Sequence, residues 1–349
     1  MTTITTPARP EQDAGLRPLP WRRMAWVTWR QHRTALAGVA ALLGALAVWV
    51  WRTGLGLHHA YATATACRPA SSFACYELAR SFNNMDGLLA GGFVLLAVPA
   101  LIGAFAGAPV LARELETGTF RYAWTQGFGR WRWTLAKLVL LAVVVAAAAG
   151  AFSVLLSWYY QPYFGAGNQN LSLTEASPLS GGLFDLRGVA FAASTLAAFA
   201  IGVLAGMLIR RVVPAIAATL AIYAGLAVAA GTYLRQHYLT PLVIRNNFPP
   251  GSAQMLSRWW TKGGQPVSQT VVGQVLQGAP AQAAGKGGGG VPQSIASVQF
   301  LSQHGYTQWI SYQPASRFWP FQWIEGGWLL ALSVLLIAVT VWLVRRRAT

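Results

Sequence analysis

Charged residues are scarce in this sequence of 349 residues: they make up 10% of the chain, and only 9 residues are acidic. Ordinary soluble domains carry about 25% charged residues, so a soluble protein is excluded. Intrinsic disorder is excluded too, because disordered chains are poor in apolar residues and this chain is 54% hydrophobic. A polytopic membrane protein remains. Its net charge of +17 then reflects Arg and Lys at cytoplasmic helix ends, and no nucleic-acid partner is expected.

Recognisable catalytic motifs are also missing. The sequence has no HExxH zinc motif and no GxSxG elbow, and the segment from Gly278 to Lys286 has the wrong spacing for a phosphate loop. The adjacent His58 and His59 lack a third metal ligand. No carboxylate lies in the middle of an apolar run, and we interpret Glu325 as an interfacial carboxylate at the start of the last run. We therefore predict no catalytic, cofactor-binding or metal-binding residues in this chain.

Long uncharged runs are what the sequence does contain. About 20 residues at 1.5 Å each cross a hydrocarbon core of roughly 30 Å. The runs are continuous rather than alternating, which argues against a β-barrel. We predict an all-α polytopic membrane protein with six transmembrane helices, an N-terminal interfacial amphipathic helix and a large outer loop before the last span. The six runs are residues 34–51, 87–112, 138–160, 188–209, 212–234 and 326–344.

The distribution of Lys and Arg predicts the orientation. The two tails, the 112–137 loop and the Arg210-Arg211 turn carry 16 of the 26 basic residues in fewer than half of the residues outside the spans. The positive-inside rule then places both termini in the cytoplasm. Cleavage of the first run as a signal peptide is the alternative, but the tail before that run is long for such a signal. Residues 1–20 contain four prolines and are predicted to be a disordered cytoplasmic tail.

Residues 21–33 have the pattern of a basic amphipathic helix that lies in the inner membrane interface. A mostly apolar stripe recurs at helical spacing, with basic residues gathered beside it. A plain positive flank of the first span is the alternative. The residues of this predicted interfacial helix include Trp21, Arg22, Arg23, Trp29, Arg30 and Arg33.

Two outer loops differ in character. The 52–86 loop holds Cys67 and Cys75, which are eight residues apart and form a candidate disulfide, with two unpaired thiols as the alternative. The 235–322 segment is predicted to be an extracytoplasmic loop with a flexible, Gly-rich middle. Residues 323–349 then form the sixth transmembrane helix and a basic cytoplasmic tail, and residues 34–234 hold the first five helices.

The 112–137 loop carries the strongest functional signal. The second helix is expected to continue through Arg113 and Glu116 and to stop at Gly118. Thr119 can cap a short helix over 120–126, which would expose aromatic side chains such as Phe120. Aromatic and Arg residues on a short loop are typical of a protein-binding surface. A loop that lies on the inner membrane surface is the alternative for part of this segment.

This segment resembles the permease family of type-2 ABC transporters, in the variety common in actinobacteria. The family pattern Arg-Glu-x-Glu-x-Gly-Thr appears as residues 113–119 and continues as Trp124-Thr125-Gln126. Residues 28–33 (Thr-Trp-Arg-Gln-His-Arg) and the 312–325 segment, with its Arg-Phe-Trp-Pro-Phe-Gln-Trp-Ile-Glu run, resemble that variety as well. The resemblance extends over nearly the whole chain.

The resemblance implies a permease subunit of an ATP-driven exporter in the bacterial cytoplasmic membrane. Two copies, or two related permeases, would join two separate ABC ATPase subunits that bind the ATP and Mg²⁺, so this chain itself would hold no cofactor. Re-entrant helices are expected before span six, although the Gly-rich loop does not reveal them. The coupling element that docks on the ATPase would comprise Arg113, Glu114, Glu116, Gly118, Thr119, Phe120 and Arg121.

Two other classes of protein compete with this interpretation. A membrane-embedded enzyme would need paired carboxylates or a nucleophile at membrane depth, and the sequence offers no recognisable set. An accessory or immunity protein that binds a toxic peptide without transporting it is the second alternative. A neighbouring ATPase gene would favour the transporter.

Overall fold

A computed structural model describes residues 21–69, 71–84, 94–118, 130–164, 176–278 and 295–346. Within these ranges, six helices are long and apolar enough to cross a membrane, which confirms an all-α polytopic membrane protein. We number them as spans one to six in chain order. The spans are Thr28–Ala66, Val94–Glu116, Trp131–Phe164, Gly188–Ile209, Val212–His237 and Ala315–Arg346.

Span one belongs to a helix that differs in extent from the prediction. One α-helix runs from Trp21 to Ala66 without a break. Residues 21–33 are helical as predicted, but they continue directly into the span instead of forming a separate helix. Residues 52–66, predicted as loop, are helical too. The predicted boundaries followed the charges at Arg33 and Arg52, and a charge does not end a helix where no proline or capping residue stops it.

The outer end of span one is followed by a short helix, Phe73–Asn83. The Oγ of Ser72 accepts a hydrogen bond from the backbone N–H of Cys75 and caps this helix. Cys67 and Cys75 are linked by a disulfide bond, which ties the short helix to the end of span one. The Cys75 side chain is fully buried in the main core, together with Phe82.

Spans two and four are the most buried helices in the described bundle. Glycines let their backbones approach closely: a Cβ on Gly103 would meet the Ala198 carbonyl oxygen at 2.5 Å, and one on Gly202 would collide with the Gly103 carbonyl. Small residues at such crossings are usual in membranes, where packing replaces the hydrophobic effect as the driving force. Span two is α-helical over Val98–Ile102 and Pro109–Glu116, with a π-helical turn at Gly103–Gly107 along this contact.

The remaining spans surround that pair. Span three lies in the helix Arg130–Phe164, span four is a regular helix over Gly188–Ile209, and a short helix at Gly181–Asp185 precedes span four. Span five is α-helical over Val212–Ala229 and ends in a π turn and a 3₁₀ turn. Span six lies in the helix Phe318–Arg346, which starts earlier than predicted. The main core contains side chains from spans one, two, three and four.

The segment before span six is folded where the structure describes it. Four strands, β1 (Leu242–Arg245), β2 (Gln254–Lys262), β3 (Gln265–Val267) and β4 (Tyr306–Gln313), form an antiparallel sheet in the order β1-β4-β2-β3. Helices Gln269–Gln277 and Ile295–Gln303 contribute to the same small core, which includes Trp260, Val272, Leu276, Val298, Leu301 and Tyr306.

This sheet adds ordered structure that was not predicted to the flanks of the 235–322 loop, and the re-entrant helices that the resemblance implies are not seen in its described part. The sheet depends on pairing between strands that are far apart in the sequence; for example, Trp259 of β2 lies opposite Trp309 of β4. Each strand alone is a short aromatic segment within a polar stretch, and such a segment does not show which partner it will pair with. The Gly-rich residues 279–294 lie outside the described residues.

Candidate functional site at the end of span two

The predicted coupling element begins on a regular helix end. Helix Pro109–Glu116 is followed by Thr117, which donates two hydrogen bonds to the Arg113 carbonyl oxygen. The backbone N–H of Thr117 donates at 3.0 Å and its side-chain hydroxyl at 2.8 Å. Gly118 follows with φ of +71°, the left-handed conformation that glycine adopts at least cost. The predicted helix stop therefore lies at the residue that the sequence indicated.

Glu114 forms an ion pair inside the protein. Its Oε1 atom lies 2.5 Å from the Nζ of Lys137, which is 1% exposed, whereas the Glu114 side chain is 21% exposed. The same Nζ lies 3.4 Å from the Val110 carbonyl oxygen. Lys137 stands two turns inside span three, so this pair ties the end of span two to the beginning of span three. Burial of a lysine is costly without such a partner.

Glu116 makes a second connection, to span five. Its Oε2 atom accepts a hydrogen bond from the backbone N–H of Val212 at 3.1 Å. Val212 is the first residue of the span-five helix, where N–H groups lack partners within the helix and the helix dipole favours a negative charge. The Arg210 residue in the preceding turn has φ of +60° and closes span four. Glu116 thus caps span five from a different helix.

The two acidic residues of the coupling element therefore hold the bundle together at this end. The resemblance assigned Glu114 to the surface that docks on the ATPase, and the structure shows its carboxylate paired with Lys137 of span three. Arg113 is exposed on the same helix. The remaining predicted docking residues, Thr119, Phe120 and Arg121, lie outside the described residues.

The residues of the predicted interfacial helix are distributed along the first helix. Trp29, Arg30 and Arg33 are exposed, and the Arg30 guanidinium lies 5.4 Å from the ring centre of Trp26, which is also exposed. Trp21, Arg22 and Arg23 belong to the same helix, but their side chains lie outside the described part of the structure.

A family model for "ABC-2 membrane transporter related" proteins matches residues 40–235. The chain belongs to this family. The match covers spans two to four, most of spans one and five, and the whole loop that contains the predicted coupling element. No curated protein and no solved structure matches the chain. As an ABC-2 membrane protein, the chain is a membrane component of an ABC transporter, and this class implies partnership with an ATPase subunit.

This ABC-2 protein also has an ionic network at the opposite end of the bundle, which the sequence analysis missed. Arg235 is 3% exposed and donates from Nη2 and Nε to the two carboxylate oxygens of Glu325 at 2.8 and 3.1 Å. It also pairs with Asp185, whose pKa is raised to about 6 by burial, against the opposing charge of Arg235. Tyr238 donates its hydroxyl proton to Glu325 at 3.2 Å.

This network joins three elements: the short helix before span four, the end of span five and the first turns of span six. Gln322 adds to it, because its Oε1 atom accepts from the Ala190 backbone N–H at 2.8 Å and its Nε2 atom donates to the Phe184 carbonyl at 3.1 Å. Glu325 therefore pairs with another span instead of capping the start of span six as predicted. The only sequence signal was that Arg235 and Glu325 each border an apolar run.

Asp185 and Glu325 line a cavity of about 230 Å³ between spans two, four, five and six, which is smaller than ordinary ligand pockets of about 300 Å³ or more. Across the described ranges, no three His, Cys, Asp or Glu side chains are grouped to hold a metal ion. The carboxylates of Asp185 and Glu325 connect their helices to span five through Arg235.

Proposed function

We propose that this protein is the permease subunit of an ATP-driven exporter, of the actinobacterial variety, in a bacterial cytoplasmic membrane. The segment 113–121 is its coupling element, and two copies of this permease, or this chain with a related one, work with two ATPase subunits. The observation that carries the proposal is the double attachment of the coupling element: Glu114 bonds to span three through Lys137, and Glu116 bonds to span five through Val212.

The attachment supports a mechanical role for the loop. A partner that pushes on residues beyond Gly118 acts on the end of span two, and the ion pair and the cap pass that displacement to spans three and five. Span two in turn lies directly against span four, because Gly103 and Gly202 bring the two backbones into close contact. The docking surface belongs to the aromatic part of the loop, whereas the acidic residues transmit the movement.

Co-purification is the test of this function. The tagged full-length protein is extracted from membranes of its native host, and the proteins that accompany it are identified by mass spectrometry. We expect an ABC ATPase in a one-to-one ratio with the permease. Absence of any ATPase under conditions that keep the protein folded would favour the accessory or immunity protein and would refute the exporter.

Two substitutions locate the docking surface. Phe120→Ala and Arg121→Ala should each weaken ATPase retention about 30-fold, because the loss of a buried interface anchor costs about 2 kcal/mol. Trp131→Ala is the matched control, since this aromatic residue is 40% exposed and lies at the start of span three, outside the predicted docking residues. The ATPase activity of the assembly should fall in parallel with retention. Equal retention by all three variants would remove the loop from the docking surface.

The proposed orientation has its own test. Thr117→Cys and Ser302→Cys place single reporter thiols at exposed positions on opposite ends of the protein. A membrane-impermeant maleimide added to intact cells should label Ser302→Cys, whereas Thr117→Cys should react only after the cells are opened. Labelling of both thiols from outside would contradict the arrangement with both termini in the cytoplasm.

A further inference from the structure

A basic groove of about 550 Å³ lies between the first helix and the end of span two. Arg30 and Arg33 from the first helix and Arg113 from span two line it. Among the described residues, none of these three arginines forms an ion pair. His32 lines the same groove, and its Nε2 atom is buried without a hydrogen-bond partner in the described structure. Buried polar atoms usually have a partner, so the groove has unused hydrogen-bonding capacity.

The carboxylates nearby do not neutralise this groove. Glu114 contributes to its lining, but its charge is offset by Lys137 at 2.5 Å. Glu116 is not part of the basic groove; it lines the adjoining apolar groove, where its carboxylate accepts a hydrogen bond from the Val212 N–H. The basic groove therefore keeps a net positive charge and is complementary to an anion.

An apolar groove of about 890 Å³ continues from the basic one. The two grooves share Thr34, Ala35, Pro109, Arg113 and Thr117, so the basic part opens directly into the apolar part. Spans one, two and five form its walls, and the deeper lining is apolar. Apart from Glu116, which also lines this groove, this lining consists of Gly38, Val39, Leu42, Leu101, Ile102, Phe105, Val212 and Ile216.

The dimensions of the joined grooves match one leaflet of a bilayer. Arg30, Thr34, Gly38 and Leu42 all line the joined grooves and follow one another at intervals of four residues, in a row that winds slowly around the first helix. At a rise of 1.5 Å per residue, Arg30 and Leu42 are about 18 Å apart along the helix axis. Half of a hydrocarbon core measures about 15 Å. A charged group at the arginines therefore leaves room for acyl chains down to the middle of the membrane.

We propose that the joined grooves bind one anionic phospholipid of the cytoplasmic leaflet, with its phosphate at Arg30, Arg33 and Arg113 and an acyl chain along Gly38 and Leu42. Basic pockets between membrane helices on the cytoplasmic side suit anionic headgroups. Since Arg113 and Thr117 belong to both the lipid site and the coupling element, the bound lipid also braces the end of span two. The site is independent of the identity of the transported substrate.

Lipid binding is measured on the purified full-length protein in detergent by native mass spectrometry. The probes are phosphatidylglycerol and phosphatidylcholine with identical acyl chains, and glycerol 3-phosphate as a headgroup without chains. We expect one phosphatidylglycerol per chain to be held more tightly than phosphatidylcholine. Glycerol 3-phosphate should bind far more weakly than the lipid, because it leaves the apolar groove empty.

Two variants test the two halves of the site. Arg30→Gln/Arg33→Gln should weaken phosphatidylglycerol binding roughly 30-fold, since each basic residue near an anionic surface contributes about a fivefold factor. Gly38→Leu should also abolish tight binding: a Cβ at this position has no atom within 4 Å, so the new side chain enters the groove without strain in the protein.

Each variant has a matched control. Arg210→Gln/Arg211→Gln removes two charges from the same predicted side, outside both grooves. Gly44→Leu adds the same side chain to the same helix, about 120° away by 100° per residue, where a Cβ also has open space. Both controls should bind phosphatidylglycerol like the unmodified protein.

Several outcomes would overturn the proposal. Equal binding of phosphatidylglycerol and phosphatidylcholine would refute an anionic site, and glycerol 3-phosphate binding as tightly as the lipid would indicate a site for soluble anions. Unchanged lipid binding in both groove variants, combined with loss of self-association or of ATPase retention, would show that a second permease copy or the ATPase occupies the grooves instead.

Discussion

The ion pair between Glu114 and Lys137 offers the sharpest test of how the coupling element is held. We expect Glu114→Ala to destabilise the folded protein, because it leaves the ammonium group of Lys137 buried at 1% exposure without its carboxylate. Breaking a buried pair from one side costs about 3–5 kcal/mol. Glu114 is 21% exposed, so solvent moderates the loss, and we expect about 3 kcal/mol.

The reverse substitution should cost less. Lys137→Met keeps an unbranched side chain of similar length in the buried position. The remaining Glu114 carboxylate can turn towards solvent, so we expect a loss of unfolding free energy of only about 1 kcal/mol. The double variant Glu114→Ala/Lys137→Met removes both charges and should also cost only about 1 kcal/mol. The double-mutant cycle then gives a coupling energy of about 3 kcal/mol, at the upper end of the range for residues in contact.

Unfolding in mixed micelles, followed by tryptophan fluorescence, measures these differences. Glu77→Ala is the control, since Glu77 forms an exposed pair with Arg80 at 3.8 Å and its loss should change stability by less than about 0.5 kcal/mol. ATPase coupling is measured in the same preparations. Additive effects in the cycle, with a coupling energy below about 0.5 kcal/mol, would show that the Glu114–Lys137 ion pair does not hold spans two and three together.

Three further predictions follow from other contacts. Gly202→Val should prevent close packing of spans two and four and reduce the yield of folded protein on size-exclusion chromatography. Gly225→Val is the control and should keep the normal yield, because a Cβ at that position has open space around it. Equal yields of the two variants would contradict the close crossing. Arg235→Met should leave two carboxylates facing each other and lower the melting temperature by several degrees; an unchanged melting temperature would show that the outer network is dispensable. Unreduced peptides should contain linked Cys67 and Cys75, and alkylation of both thiols in protein from intact cells would show that the pair is open.

The position of the spans could be predicted from the sequence because it depends on local properties. A run of about 20 apolar residues must cross the membrane as a helix, since lipid offers no partners for backbone N–H and C=O groups. The predicted run 188–209 coincides with the helix Gly188–Ile209. Gly118 was predictable as a helix stop for the same reason, because its left-handed backbone conformation is a preference of glycine itself.

Pairings between distant residues required the tertiary structure. Lys137 and Glu114 are 23 positions apart, and Arg235 and Glu325 are 90 apart. In the sequence each of these residues marks the edge of an apolar run, and nothing local distinguishes a buried partner from a solvated charge. The sheet before span six and the continuation of the first helix beyond Arg52 also could not be predicted from local sequence. These two features were decided by strand pairing and by helix packing, because pairing and packing depend on which surfaces meet after the chain has folded.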